Sequence, residues 1–139
     1  MSSPFAILDS SIYIDHWQTN RWQERLLFAS QRFLIRQSSV VLHELRRGAM
    51  TREAVRMVEN LLRLSPEIIN PSDTDWWRVA QFLNRLLARQ KIPKERLKNL
   101  QNDCLIAFCA RRIGGVVITS DKKDFSLLEK FLPCRVLYW

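Results

Sequence analysis

Glycine is scarce in this chain, with three in 139 residues beside five prolines. That scarcity excludes a glycine-rich linker, and neither the glycine series that cradles a dinucleotide nor a phosphate-binding loop is present. Cysteine is equally sparse. Cys104, Cys109 and Cys134 form an odd set with no paired spacing, so no complete disulfide framework follows and reduced thiols inside apolar runs are expected. His16 and His43 are too isolated to build a zinc site. No apolar run approaches the ~18 residues of a membrane helix, and Met1-Ser2-Ser3-Pro4 ahead of a short Phe5–Leu8 run lacks the layout of a signal peptide. The cytoplasm is the expected location, without membrane association. Acids are the minority charge, 14 Asp and Glu against 22 Lys and Arg for a net charge of +8. That balance suits a polyanionic partner and bears on association rather than on fold.

What is present describes a folded chain. Hydrophobic residues make up 47% and charged residues 26%, enough to bury one core and too short a chain for two ordinary domains, so residues 1–139 read as a single domain. Short β-type runs recur at Phe5–Leu8, Phe33–Arg36, Glu67–Ile69, Val116–Thr119 and Arg135–Tyr138. Helical patterns separate them, most plainly over Asp73–Arg89, where Trp76, Val79, Ala80, Leu83, Leu86 and Leu87 recur at intervals of three and four. Such alternation predicts an α/β fold, a three-layer α/β/α sandwich with a mainly parallel sheet of about five strands. Ligands of open parallel sheets collect beyond the carboxyl ends of the strands, so the residues directly after each strand carry the functional interest.

Four acids stand at informative places. Asp9 directly follows the first apolar strand, where it reads as the cap of a helix beginning near Ser11 or as a ligand, two roles that do not exclude each other. Glu44 shares a helical face with Val40 and Val41, in a helix starting at Ser38-Ser39; it pairs with Arg46 or Arg47, reaches the surface, or joins a polar site. Asp103 lies on a face with Ile106, Ala107 and Ala110, and Asn99 or Asn102 offers itself as the cap of that helix. Asp121 follows the strand Val116–Thr119 and reads as a loop or capping residue or as a ligand, with Asp124 able to cap the next helix or to support the site. Two acids after strands and two on apolar helix faces can meet at one end of a sheet. Clustered carboxylates repel one another unless a hard cation opposes them, and all-oxygen ligation favours Mg²⁺ or Mn²⁺. Such a centre suits phosphodiester hydrolysis, with Ser10 and Thr119 as supporting hydroxyls.

The motifs Ile7-Leu8-Asp9-Ser10-Ser11, Ser38 to Gly48, Asn102-Asp103-Cys104-Leu105-Ile106-Ala107 and Thr119-Ser120-Asp121-Lys122-Lys123-Asp124-Phe125 follow in an order that resembles the PIN-domain ribonucleases, especially the VapC-type toxins of toxin–antitoxin pairs. The resemblance spans nearly the whole chain. It implies a PIN-like fold, a metal-dependent endoribonuclease and metal-binding roles for Asp9, Glu44, Asp103 and Asp121, with Asp124 matching a further acid of the last motif. It also implies an RNA substrate, an antitoxin protein partner and homodimerisation. The chain departs from the family pattern where Thr then Asn often follow the first acid and Ser10 and Ser11 stand instead, and where Asn often occupies the place of Asp121.

Arg46, Arg47, Lys122 and Lys123 lie beside these motifs and read either as phosphate contacts or as solvated helix ends; Arg111 and Arg112 offer the same pair of readings. The five tryptophans, Trp17, Trp22, Trp76, Trp77 and Trp139, are expected mostly in the core, although adjacent Trp76 and Trp77 cannot share one helix face and one of them should meet a partner surface. A phosphatase-like hydrolase would place a second acid at Ser11, and a receiver-like module would need an aspartate near Ile69-Asn70-Pro71; neither is there. The alternative that stands is a PIN-like module that binds RNA or protein without useful turnover.

Overall fold

Phe5-Ala6-Ile7-Leu8 is apolar at every position because it becomes the middle strand of a sheet covered on both faces. In the computed structural model, which describes residues 4–139, this strand is β1 (Phe5–Leu8); Met1-Ser2-Ser3 of the expected leader-free start lie outside the described residues. It is followed by α1 (Ser10–Thr19), α2 (Gln23–Arg32), β2 (Leu34–Ser38), α3 (Ser39–Gly48), α4 (Arg52–Leu64) and β3 (Ile68–Ile69). The second half runs through α5 (Asp73–Arg89), α6 (Lys94–Arg112), β4 (Val116–Thr119), α7 (Lys122–Glu129) and β5 (Val136–Tyr138).

The five strands lie in the order β3-β2-β1-β4-β5, and every neighbouring pair is parallel. Ala6, Ile7 and Leu8 pair with Val116, Val117 and Ile118, which brings the two ends of the chain together at the sheet centre. All four residues of β4 are buried, as helices on both faces require. The three-layer α/β/α sandwich is thus observed, with a sheet that is wholly rather than mainly parallel. Because every strand points the same way, Asp9, Ser38 and Thr119 all emerge at one sheet edge.

Three details differ from the sequence expectation. First, β2 is displaced toward Gln37 and Ser38, both buried, while Phe33 caps the preceding helix. Gln37 Nε2 donates to Tyr13 Oη at 2.6 Å, so a polar side chain continues the strand because it has a partner inside. Second, the buried stripe of α5 is Asp75, Val79, Phe82, Leu83 and Leu86, and Trp76, Ala80 and Leu87 are exposed. An aspartate can lead this stripe because it closes a capping box with Ser72 and pairs with Arg112. Third, α6 begins after Pro93, so Asn99 and Asn102 are interior to the helix and cap nothing.

The tryptophans divide accordingly. Trp22 is buried and stacks at a tilt on Trp139, with centroids 5.6 Å apart, and Trp17 packs on Tyr13. Trp76 and Trp77 are 50% and 70% exposed, so neither belongs to the core. The three cysteines are free, with Cys104 and Cys109 buried. Among the described residues no helix is long and apolar enough to cross a membrane.

Candidate metal centre

Asp9 is held at the end of β1 by its backbone, whose N–H donates to Ile118 O at 2.9 Å. It occupies the cap position of α1, yet its carboxylate makes no capping bond. Instead Oδ2 accepts from Thr119 Oγ1 and Ser11 Oγ, both at 2.9 Å, although the residue is 3% exposed. Burial lifts its carboxyl above the usual range, the two hydroxyls pull it back, and the charge of Asp121 lifts it further.

Glu44 enters from the second turn of α3, a helix capped by Ser38, whose hydroxyl accepts from Val40 N at 3.1 Å. The first buried turn, Val40 to Leu42, turns Glu44 toward the other acids. Its Oε2 accepts from Asn102 Nδ2 at 3.4 Å and Ser10 adds a further hydrogen bond, while Oε1 is buried without a hydrogen-bond partner among the described residues. Burial and then the charge of Asp9 push this carboxyl up to about 7, against the opposing influence of Asn102, Ser10 and Arg47.

Asp103 comes from the middle of α6, at the start of an unbroken buried run to Ala110. It is the most strongly affected acid. Burial raises its carboxyl well above the ordinary value, and the charges of Asp9, Asp121, Glu44 and Asp124 all raise it further. Its Oδ2 is buried and has no hydrogen-bond partner among the described residues.

The loop after β4 contributes the remaining two. Asp121 caps α7 through Asp124 N at 3.2 Å, so the capping reading of this residue holds, and burial followed by the charge of Asp124 raises its carboxyl. Asp124 is buried and paired with Arg96 Nε at 3.1 Å. Oxygens of Asp103, Asp121 and Asp124 all lie within 4.8 Å of one another. Asp9 and Glu44 flank this trio as electrostatic neighbours. Of the expected quartet, Asp103 and Asp121 stand within this distance together with Asp124, while Asp9 and Glu44 lie outside the trio and act on Asp103 through their charge.

The supporting hydroxyls are placed too. Thr119, fully buried, donates to Asp9 and accepts from Asp121 N at 3.0 Å, and Ser10 reaches Glu44. Arg46, Arg47, Lys122 and Lys123 are all exposed, and Arg47 lies near enough to Glu44 to lower its pKa. Arg112 is engaged with Asp75 and Asn70 O, whereas Arg111 is exposed.

Sequence reasoning passed over Ser11, Arg96 and the amide of Asn102. Arg96 had a usable signal, because it lies seven residues, two turns, before Asp103 and so shares its face of α6. Nothing local announced the Asn102 to Glu44 bond, which joins positions 58 apart.

An all-oxygen donor set of three carboxylates, with unpartnered buried oxygens on Asp103 and on nearby Glu44, fits a hard divalent cation. Without opposing positive charge these groups repel, and burial makes the repulsion costly.

A profile described as PIN domain matches residues 6–130. The fold is similar to that of a chain in VapBC2 from Rickettsia felis bound to a DNA fragment from their promoter, at 21% identity and TM-score 0.68, covering 97% of this chain and 98% of that one. A chain of VapBC-1 from nontypeable Haemophilus influenzae gives the same identity, coverage and TM-score. DNA-bound VapBC from Salmonella typhimurium matches at 23% identity and TM-score 0.63, over 100% of this chain and 99% of that one. No curated protein gives a match.

Proposed function

On the premise that the chain belongs to the PIN domain family, we propose that it is an endoribonuclease that hydrolyses RNA phosphodiesters with Mg²⁺ or Mn²⁺ and acts as the toxin of a toxin–antitoxin pair. The observation that carries this reading is the arrangement around Asp103, whose unpartnered buried oxygen lies among four other carboxylates at the carboxyl end of a parallel sheet. Arg96 pairs with Asp124 alone, and among the described residues no ion pair or hydrogen bond reaches this oxygen of Asp103, unlike Asp75, which Arg112 and Ser72 engage.

Asp103, Asp121 and Asp124 would hold the cation, with Asp9 and Glu44 as the further ligands. When bound, it supplies Lewis acidity for water activation and positive charge for the phosphate oxygens. The chain's own residues prepare the rest. Thr119 and Ser11 fix the rotamer of Asp9, and Asn102 and Ser10 fix Glu44. Arg96 neutralises Asp124 from the side and limits the charge at the centre. Arg46, Arg47, Lys122 and Lys123 contact phosphates of the RNA.

An antitoxin partner belongs to the same reading, supported by the fold likeness to chains of VapBC assemblies, and homodimerisation belongs to it as what the family resemblance implies. Purified protein, freed of any partner, is expected to cut RNA when Mg²⁺ or Mn²⁺ is added and to stop on chelation. Asp9→Asn is expected to abolish that cleavage. Undiminished cutting by Asp9→Asn would defeat the mechanism, and tight RNA binding without cleavage would leave a binding module in its place.

A further inference from the structure

Beside the carboxylates, on the other side of α3, lies a second cavity of about 380 Å³ between α3, the start of α5 and α6. Its size falls within the roughly 300–1,000 Å³ of small-molecule sites. Trp76 and Pro71 give it an apolar wall, Arg47 and Lys98 are its cations, and Gln101 and Asn102 bring side-chain amides. Among the described residues no carboxylate lines it.

Three observations point to one kind of occupant. Half of the surface of Trp76 is exposed, and its ring pairs with no other ring or guanidinium among the described residues, so a flat apolar face stands open. The charged lining is purely cationic, which complements a phosphate. The cavity is also continuous with the acids, since Asn102 lines it while donating to Glu44 at 3.4 Å.

We propose that this cavity is the subsite for one unpaired nucleotide of the RNA, adjacent to the scissile bond. The base stacks on Trp76, its edge meets the amides of Gln101 and Asn102, and its phosphate is met by Arg47 and Lys98. Unpaired bases are the part of RNA that aromatic side chains can stack on, and paired bases are not. The inference rests on the ribonuclease reading above.

The test uses Trp76→Ala, Trp76→Phe and, as a neighbour outside the cavity, Trp77→Ala. Cleavage of a single-stranded RNA by Trp76→Ala is expected to show a KM raised roughly ten-fold or more with kcat little changed. Trp76→Phe, which keeps a stacking face, should recover most of the KM, and Trp77→Ala should stay within about two-fold of the parent. Sedimentation at the assay concentration is run alongside. An unchanged KM in Trp76→Ala overturns the subsite. So does a raised KM accompanied by a change in oligomeric mass, which assigns the cavity to contact between two copies of the chain.

Should the unaltered protein cut no RNA, the ribonuclease reading fails and the subsite is still decided separately. Single-stranded oligouridylate, titrated in chelator, should quench tryptophan fluorescence in the unaltered protein and much less in Trp76→Phe. Equal quenching in both overturns the proposal.

Discussion

Thr119 Oγ1 donates to Asp9 Oδ2 at 2.9 Å and at the same time accepts from the backbone N–H of Asp121 at 3.0 Å. One buried hydroxyl thus ties the acid after β1 to the loop after β4. Thr119→Val keeps the shape and deletes both bonds, leaving the Asp121 N–H without this acceptor. A loss of about 1–3 kcal/mol in unfolding free energy is expected, with cleavage reduced at least ten-fold. Thr119→Ser retains the hydroxyl and should keep most of the activity. Denaturant titration and a cleavage assay of both variants check this, and equal behaviour of the two would contradict it.

Asp103 is expected to show a trade between stability and function. Asp103→Asn removes the charge on which four other acids act, without changing the side-chain volume much. In chelator the variant should be more stable than the parent, by about 1 kcal/mol or more. The stabilisation that Mg²⁺ or Mn²⁺ confers on the parent, about 2.7 kcal/mol at a hundred-fold excess over Kd, should largely vanish along with cleavage. Thermal melts with and without metal read both effects. A parent more stable than Asp103→Asn in chelator would count against repulsion at this centre.

The direction of pH dependence follows from the raised carboxyls. Glu44 lies at about 7 in the folded chain against an ordinary value of 4.5, and Asp9, Asp103 and Asp121 are raised as well. Between those limits the folded state holds more protons than the unfolded state, so stability in chelator falls as pH rises. The contribution is fully present below about 4.5 and lost through about 7. Metal competes with the same protons, so metal-dependent cleavage should rise over that window. Melting temperatures from pH 4.5 to 8 in chelator test the first sign, and a rate profile tests the second.

Gly115 enters β4 where a Cβ would come within 2.9 Å of Phe5 O, whereas at Gly114 there is open space and the constraint is a φ of +66°. Gly115→Ala must move backbone against backbone and should cost about 2–3 kcal/mol. Gly114→Ala pays the left-handed conformation, about 1 kcal/mol. Both lie at the end of β4 away from Thr119, so the metal-induced rise in melting temperature should survive in each. Urea unfolding ranks the pair.

How much of this was legible beforehand depended on the length scale of the signal. β1 and β4 could be bounded to the residue because a strand buried on both faces is apolar throughout, and α5 because its periodicity runs for 17 residues. The stripe of α5 was misplaced by about one position, because Asp75 looks polar in sequence and becomes a core residue only through Arg112, 37 positions away. The acids Asp9, Glu44, Asp103 and Asp121 could be picked by their anomaly, charge directly after a strand or on an apolar face. Their partners could not be picked that way. Asn102 looks ordinary in sequence and acquires meaning from a contact 58 positions away, and Ser11 from an acid two positions before it whose rotamer the sequence does not give. Trp76 shows the converse limit, since its place in the apolar periodicity assigned it to a core it does not join, whereas the expectation that one of Trp76 and Trp77 stays outside the core falls short by one.

The pairing of β1 with β4 carries a last consequence, for the chain during its synthesis. Thr119 and Asp9 are 110 positions apart, and Asp121 and Asp124 come later still. A chain growing from its amino end holds Asp9 and Glu44 long before it owns their counterparts, and such distant pairings close late. The centre therefore cannot exist on a partly made chain. Whatever chemistry these carboxylates support is withheld until residue 124 has been added and β4 has closed on β1.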